Sequence, residues 1–104
     1  MTIAMFAGQR VHVDDDGFLT DYGEWDERVA RQLAVRAGVD MTDAHWKPIR
    51  FLRVDFPRRG ETASLRQVSK LTGMPINDLS GLFGRAAAKT MAYIAGLPKP
   101  RRYI

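Results

Sequence analysis

The first twenty residues have the hydrophobic pattern of paired β-strands. Ile3-Ala4-Met5-Phe6 is apolar, Val11-His12-Val13 alternates with a strand's period of two, and Ala7-Gly8-Gln9 separates them. We therefore expect a β-hairpin within residues 1–20. Asp14-Asp15-Asp16-Gly17 then predicts a turn, because aspartate and glycine favour turns.

From residue 24 onward the apolar residues recur every three or four positions, as on one face of an α-helix. Trp25, Val29 and Leu33 predict a first helix from about Glu24 to Ala37. We expect Gly38 to end it, because glycine is the usual residue after a helix.

A second helix is predicted from Asp43 to Phe56, with Thr42 as its N-cap. Its expected buried stripe consists of Trp46, Ile49, Leu52 and Phe56. Pro48 lies inside this span and conflicts with it, because a proline within a helix removes a hydrogen bond. A later start than Thr42 indicates is therefore the alternative.

Residues 64–84, SLRQVSKLTGMPINDLSGLFG, predict two helices joined by a tight turn at Gly73, as in a helix-turn-helix pair. The second helix is expected to turn three side chains inward, Ile76, Leu79 and Leu82. In DNA-binding pairs of this kind, exposed residues early in the second helix contact base edges. The candidate DNA contacts are Asn77 and Ser80, together with Arg85 and Lys89 of the following helix. Asp78 opposes this interpretation, because its carboxylate repels phosphate.

A last helix from about Arg85 to Ile94 leads into GLPKPRRYI at the end of the chain. Pro98 and Pro100 disfavour helix, so residues 95–104 are expected to form an extended, basic arm. The residues expected to bind a partner at its tip are Lys99, Arg101, Arg102, Tyr103 and Ile104. The alternative is a frayed end that does nothing.

Composition indicates one soluble domain, which we place at residues 1–104. Hydrophobic residues make up 45% and charged residues 27% of the 104 positions. No apolar run reaches the roughly 18 residues that span a bilayer, and the N-terminus lacks the pattern of a signal peptide. We therefore expect a cytoplasmic protein. The absence of cysteine excludes disulfides, thiolate catalysis and thiolate metal sites.

The net charge of +4 is distributed unevenly. Residues 1–46 carry four arginines and nine acidic residues, a net −5, whereas residues 47–104 carry twelve basic and three acidic residues, a net +9. A strongly basic half favours an acidic partner, of which nucleic acid is the obvious candidate. The alternative is that the two halves pack on each other.

Little catalytic chemistry is recognisable. The aspartate turn is not an EF-hand loop, because the first and last ligand positions would fall on His12 and Gly23. His12 and His45 are the only histidines, and we interpret both as structural. We expect no catalytic residue, metal, cofactor or small-molecule substrate.

Three stretches together resemble one family. GFLTDYGEW, MTDAHWKPIRFLR and KTMAYIAGLPKP, the last followed by a short tip, are similar to the DsrC/TusE family of sulfur-relay proteins. The resemblance implies an α+β fold, in which an N-terminal hairpin packs on a helical bundle over residues 24–94. It also implies a mobile C-terminal arm that carries sulfur as a persulfide or trisulfide. Such an arm reaches into protein partners, such as dissimilatory sulfite reductase or the other Tus components.

The sulfur-carrying residues do not match. The family carries sulfur on its penultimate residue, which is Tyr103 here, and the second cysteine of the DsrC type falls on Ala92. A persulfide needs a nucleophilic thiolate, and tyrosine contains no sulfur. We therefore expect no sulfurtransferase activity from the chain itself.

Four cationic residues match basic positions of the family's helices, and we regard them as a candidate anion or partner surface: Arg50, Arg53, Arg66 and Lys70. The alternative is a face that is simply solvated.

Three functions follow from these patterns. The first is a cysteine-less, non-catalytic protein that docks on partners of a sulfur relay through its arm, in competition with a true carrier or as a regulator. The second is a DNA-binding regulator that uses the helix-turn-helix-like pair. The third, opposed by the missing cysteines, is an active sulfurtransferase.

Overall fold

The N-terminal hairpin consists of β1 (Thr2–Phe6) and β2 (Gln9–Val13), as predicted, in a computed structural model that describes residues 2–101. Phe6 pairs with Gln9, so only Ala7 and Gly8 form the turn. Both turn residues have positive φ, 53° and 76°, as a type I′ turn requires. Two-residue turns of this type match the twist of the strands they join.

The hairpin has one buried and one exposed face. Phe6, Val11 and Val13 are buried against the rest of the protein. Ile3 and Met5 lie on the opposite face and are 49% and 58% exposed. The aspartate turn follows as predicted, and Asp14 Oδ1 accepts hydrogen bonds from two backbone N–H groups within it.

Five α-helices follow in the described part of the chain, after a short 3-10 helix at Tyr22–Glu24. They are α1 (Glu27–Ala37), α2 (Asp43–Arg59), α3 (Leu65–Thr72), α4 (Ile76–Phe83) and α5 (Ala87–Ile94). Together with the antiparallel hairpin they give the α+β fold that was expected.

The first helix begins at Glu27, three residues after the predicted start at about Glu24. Asp26 is the N-cap, and its carboxylate accepts a 2.9 Å hydrogen bond from the N–H of Val29. Glu24 instead bonds to His12, accepting its backbone N–H at 2.7 Å. This bond lowers the pKa of Glu24.

The second helix does begin after Thr42, in spite of Pro48. Pro48 lacks an N–H and therefore removes one helical bond, but its ring is fully buried. The helix runs to Arg59, past the predicted end at Phe56. Phe56 is half-buried.

The α3–α4 pair is less buried than predicted. Leu79 is fully buried, but Leu82 is half-buried and Ile76 is 39% exposed. Ile76 is the first residue of α4, and Leu71 lies one residue before the end of α3 and is 53% exposed. Both residues therefore lie at the ends of eight-residue helices and outside the buried core.

The last helix begins at Ala87, two residues after the predicted start at about Arg85. Arg85 and Ala86 form a turn between α4 and α5. The preceding Gly84 has a φ of 88°, which interrupts the helical conformation.

The buried side chains form two clusters. The larger joins the helices and includes Ile49, Leu79 and Leu97. The smaller joins the hairpin to α1. Trp25 and Tyr93 pack against both clusters and so connect the hairpin to the helices.

Candidate functional site

The candidate site is the C-terminal segment, residues 95–101, which continues from α5. Its root is part of the core, because Ala95 and Leu97 have no exposed surface. The N–H of Leu97 donates a 3.0 Å hydrogen bond to the carbonyl oxygen of Ala92 in α5. Gly96, between them, has a φ of 68°, which turns the chain out of the helix.

The side chains of Trp25 and Arg53 donate hydrogen bonds to the backbone carbonyl groups where the chain leaves α5. Together with Tyr22, which contacts Arg53, we call these residues the exit clamp. The indole Nε1–H of Trp25 donates to the Ile94 carbonyl at 2.8 Å. Arg53 donates from Nη1 to the Ala95 carbonyl at 3.2 Å and from Nη2 to the Tyr22 carbonyl at 2.8 Å.

The guanidinium group of Arg53 is also packed against aromatic rings. Its Cζ lies 3.6 Å from the ring centroid of Tyr22 and 4.4 Å from that of Trp25. The Tyr22 hydroxyl donates back to the Arg53 carbonyl at 2.5 Å. Burial lowers the pKa of Arg53, although an arginine stays charged in proteins.

The middle of the C-terminal segment rests on two loops. The Thr62 hydroxyl donates to the Pro98 carbonyl at 2.7 Å, and Pro100 is buried. Lys99 forms an ion pair with Asp16 and lies 5.5 Å from the ring centroid of Phe18. The segment is extended here, as predicted, but it lies against the body of the protein.

The last described contact is weaker. Arg101 approaches Glu61 at 3.6 Å, with 85% of its side chain exposed. The other predicted tip residues, Arg102, Tyr103 and Ile104, lie outside the described residues.

Ala92 is fully buried in α5. It carries a methyl group at the position where the resemblance places the second cysteine. Tyr103, at the position of the sulfur-carrying cysteine, lies outside the described residues.

The four predicted surface cations have different environments in the structure. Arg53 belongs to the exit clamp. Arg50 pairs with Glu27 at 3.2 Å and lies 5.6 Å from the Trp46 ring centroid. Arg66 and Lys70 are exposed on α3.

The candidate DNA contacts also fall into two groups. Asn77 is exposed and Ser80 half-buried on α4. Arg85 and Lys89 are exposed and, with Leu65, line a surface cavity of about 350 Å³ at the start of α5.

Both histidines form hydrogen bonds within the fold. Nδ1 of His12 lies 2.9 Å from the Glu24 carboxylate. The buried His45 bonds through Nε2 to the Leu82 carbonyl at 2.9 Å and through Nδ1 to Thr42. Within residues 2–101, no cluster of His, Asp and Glu could hold a metal ion, and no helix is long and apolar enough to span a bilayer.

Sequence reasoning missed the exit clamp and the acidic partners of the C-terminal segment. Trp25 was expected on the buried face of the first helix, but it precedes that helix and caps the end of α5. The only sequence signal was Gly96, two residues after the end of α5, with Pro98 two residues further along the chain. Nothing in the sequence connected Asp16 or Glu61 to the arm.

The fold and the site define a class of small α+β protein whose basic, extended C-terminal segment is firmly held at its root and lightly held beyond it. The family described as DsrC like protein matches residues 5–104. The chain therefore belongs to the DsrC-like protein family.

Named relatives agree with this assignment. Sulfurtransferase TusE of Photorhabdus laumondii is 31% identical over 111 residues, covering 100% of each chain. TusE of Sodalis glossinidius is 31% identical, covering 91% of this chain and 94% of the relative.

The same fold occurs in solved structures. The oxidized gamma-subunit of the dissimilatory sulfite reductase (DsrC) from Archaeoglobus fulgidus is 33% identical with a TM-score of 0.83, covering 99% of this chain and 100% of that one. DsrC of Allochromatium vinosum is 28% identical with a TM-score of 0.84, covering 94% of each chain.

Proposed function

We propose that this protein is a cysteine-less member of a sulfur-relay family that docks on protein partners through its C-terminal segment without carrying sulfur. Its relatives bear the names sulfurtransferase TusE and gamma-subunit of dissimilatory sulfite reductase, which supports partners of the sulfur-relay or sulfite-reductase type. The observation that carries the proposal is the combination of an extended segment and the complete absence of cysteine.

The contacts of the C-terminal segment indicate what a partner must offer. The carboxylates of Asp16 and Glu61 form ion pairs with Lys99 and Arg101. The Thr62 hydroxyl donates a hydrogen bond to the Pro98 carbonyl. A partner that draws the segment away from the body must replace these contacts. We therefore infer a receiving groove lined with carboxylates.

The tip adds groups suited to such a groove. Arg102 contributes a further positive charge, and Tyr103 is of a residue type enriched among interface hot spots. Pro98 and Pro100 stiffen the segment, which reduces the entropy that is lost when it enters a groove.

The loss of sulfur chemistry is tested by intact mass. Incubation with a persulfide donor or with a cysteine desulfurase and cysteine should leave the mass unchanged, because no thiol is present. A stable adduct of about 32 Da, one sulfur atom, would instead establish sulfur transfer by this chain. The Tyr103→Cys variant is the matched positive control, since it should gain that adduct.

Partner docking is tested by shortening the chain. A chain ending at Pro100 keeps the buried Leu97 and Pro100, so its melting temperature should stay within a few degrees of the full chain. It should nevertheless lose affinity for a sulfite-reductase-type or Tus-type partner. Unchanged affinity would make the tip irrelevant.

The body's own acidic groups should compete with the partner. Asp16→Asn together with Glu61→Gln should raise partner affinity, because the bound state no longer requires two ion pairs to be broken. Asp40→Asn, which removes one negative charge from an exposed loop, is the control and should change little. Weaker binding of the double variant would contradict an exchange of acidic partners.

A second candidate, duplex DNA binding, is favoured by one observation. Arg85 and Lys89 are exposed beside the surface cavity at the start of α5, and Asn77 is exposed on the preceding helix α4. Such cations suit phosphate contacts. Asp78 in the first turn of α4 opposes base contacts by that helix.

A further inference from the structure

The exit clamp has a consequence for the direction of the C-terminal segment. Helix α5 ends at Ile94, and the next two residues could turn in many directions if only the helix constrained them. Here the carbonyls of Ile94 and Ala95 each accept a hydrogen bond from a side chain of another element. These two carbonyls are among the last of the helix, which have no partner within it.

The donors are themselves held rigidly. Arg53 lies within α2, and its guanidinium lies against the rings of Tyr22 and Trp25. Tyr22 is tied to Arg53 in both directions, since its hydroxyl donates to the Arg53 carbonyl and its own carbonyl accepts from Nη2. Within residues 2–101 no carboxylate pairs with Arg53, so its hydrogen bonds all go to backbone carbonyls.

The backbone of the segment is fitted to this clamp. A Cβ placed on Gly96 would lie 2.4 Å from Cδ1 of Trp25, closer than any real contact. The backbone at Gly96 therefore passes too close to the Trp25 side chain to leave room for a Cβ. Beyond Gly96, Leu97 enters the core, whereas Lys99 and Arg101 make only partly exposed ion pairs.

From this geometry we infer that Arg53 and Trp25 are positioning residues that set the direction in which the C-terminal segment leaves the domain. They divide it into a fixed root, residues 95–97, and a portion from residue 98 onward that can exchange its contacts. A partner then meets the segment at one place and in one direction. This last consequence rests on the proposed docking function, whereas the positioning role does not.

The positioning role can be measured without any partner. The chain has no cysteine, so two introduced cysteines can be spin-labelled cleanly. Suitable sites are Val35 on α1, 76% exposed, and Arg101, whose side chain is 85% exposed. In this background, Arg53→Lys keeps the charge but loses the planar group that stacks and bonds to two carbonyls. Trp25→Phe keeps a ring but loses the N–H donor.

Both variants should broaden or shift the distribution of distances between the two labels. Arg50→Lys is the matched control, since Arg50 lies on the same helix, contacts the Trp46 ring and bonds to Glu27. It should leave the distribution unchanged. A distribution for Arg53→Lys identical to that of the parent, or equal broadening by Arg50→Lys, would overturn the inference.

Amide hydrogen exchange separates positioning from a general loss of stability. The N–H of Leu97 should exchange about tenfold faster or more in Arg53→Lys and Trp25→Phe, while that of Val68 in α3 changes little, because the opening is local. Equal acceleration of both amides would reduce the clamp to an ordinary stabilising contact and overturn the positioning role. If one variant fails to fold, the other carries the test. Failure of the partner-binding experiments would leave these results intact, so the two proposals can be separated.

Discussion

Gly96 shows at the scale of one residue how the exit from α5 is constrained. Its φ of 68° is left-handed, and its Cα faces the Trp25 ring. Gly38, at the end of α1, has a similar φ of 75° but no atom within 4 Å of an added Cβ. Substitution of the two glycines therefore distinguishes the cost of the left-handed backbone conformation, present at both positions, from the cost of a steric clash, present only at Gly96.

Gly38→Ala should lower the free energy of unfolding by about 1 kcal/mol, the cost of an alanine in left-handed conformation. Gly96→Ala should lower it by a further 1–3 kcal/mol or so, because the new methyl group overlaps the indole ring. Urea unfolding of both variants measures the difference. Equal losses would show that Trp25 moves aside without cost.

Asp26 gives a prediction with a defined pH dependence. Its carboxylate caps α1, and the bond from the N–H of Val29 lowers the pKa of Asp26 below its usual value. Asp26→Ala should cost about 1 kcal/mol at neutral pH, a typical loss for an N-cap. Asp40→Ala, in an exposed loop, serves as the control and should cost little.

The sign of the pH dependence follows from the direction of that shift. A carboxyl group whose pKa is lower in the folded state stabilises the protein fully above its unfolded pKa, about 3.9. That contribution is lost as the pH falls through the lower, folded pKa. The stability difference between Asp26→Ala and the parent should therefore shrink in acid, and a difference that persists there would argue against the capping carboxylate.

At the scale of elements, the C-terminal segment has two parts that differ in how they are held. Residues 95–97 are core, and the portion beyond them has no regular secondary structure and is held by contacts with Thr62, Asp16 and Glu61. Exposed ion pairs of this kind contribute little stability, typically below about 1 kcal/mol each. The segment's stability therefore resides at its root.

Two shortened chains test this division. A chain ending at Gly96 loses the fully buried Leu97 and should lose at least about 2 kcal/mol of unfolding free energy, the value of burying one leucine side chain. A chain ending at Pro100 retains it and should be nearly as stable as the full protein. Thermal and urea unfolding of the two chains gives the comparison. Similar stabilities would place the root outside the core.

At the scale of the whole molecule, the net charge of +9 over residues 47–104 makes DNA binding testable by salt. Binding through phosphate contacts weakens steeply as salt rises, because counterions are released. Arg85→Ala and Lys89→Ala should then reduce affinity more than Asn77→Ala. A titration against duplex DNA measures this, and no binding at about 50 mM salt would remove the DNA hypothesis.

Much of the fold could be predicted because its signals are local. The period of two in Val11-His12-Val13 and the spacing of Trp46, Ile49 and Leu52 are consequences of strand and helix geometry. The hairpin and all the predicted helices are present. Boundaries were less certain, since Glu24 and Arg85 both satisfy helical spacing but are held outside helices by neighbouring contacts and by Gly84.

The sequence by itself determined three things: the hairpin and helical elements, the extended course of a chain that contains Pro98 and Pro100, and the absence of any thiol. Tertiary structure alone decided where that extended segment runs. Its contacts join Trp25 to Ile94 and Arg53 to Ala95, which are 69 and 42 positions apart. No periodicity encodes pairs at such separations. They exist because α5 packs against both α1 and α2, and this packing brings an indole N–H and a guanidinium to the carbonyls that a helix leaves unpaired at its end.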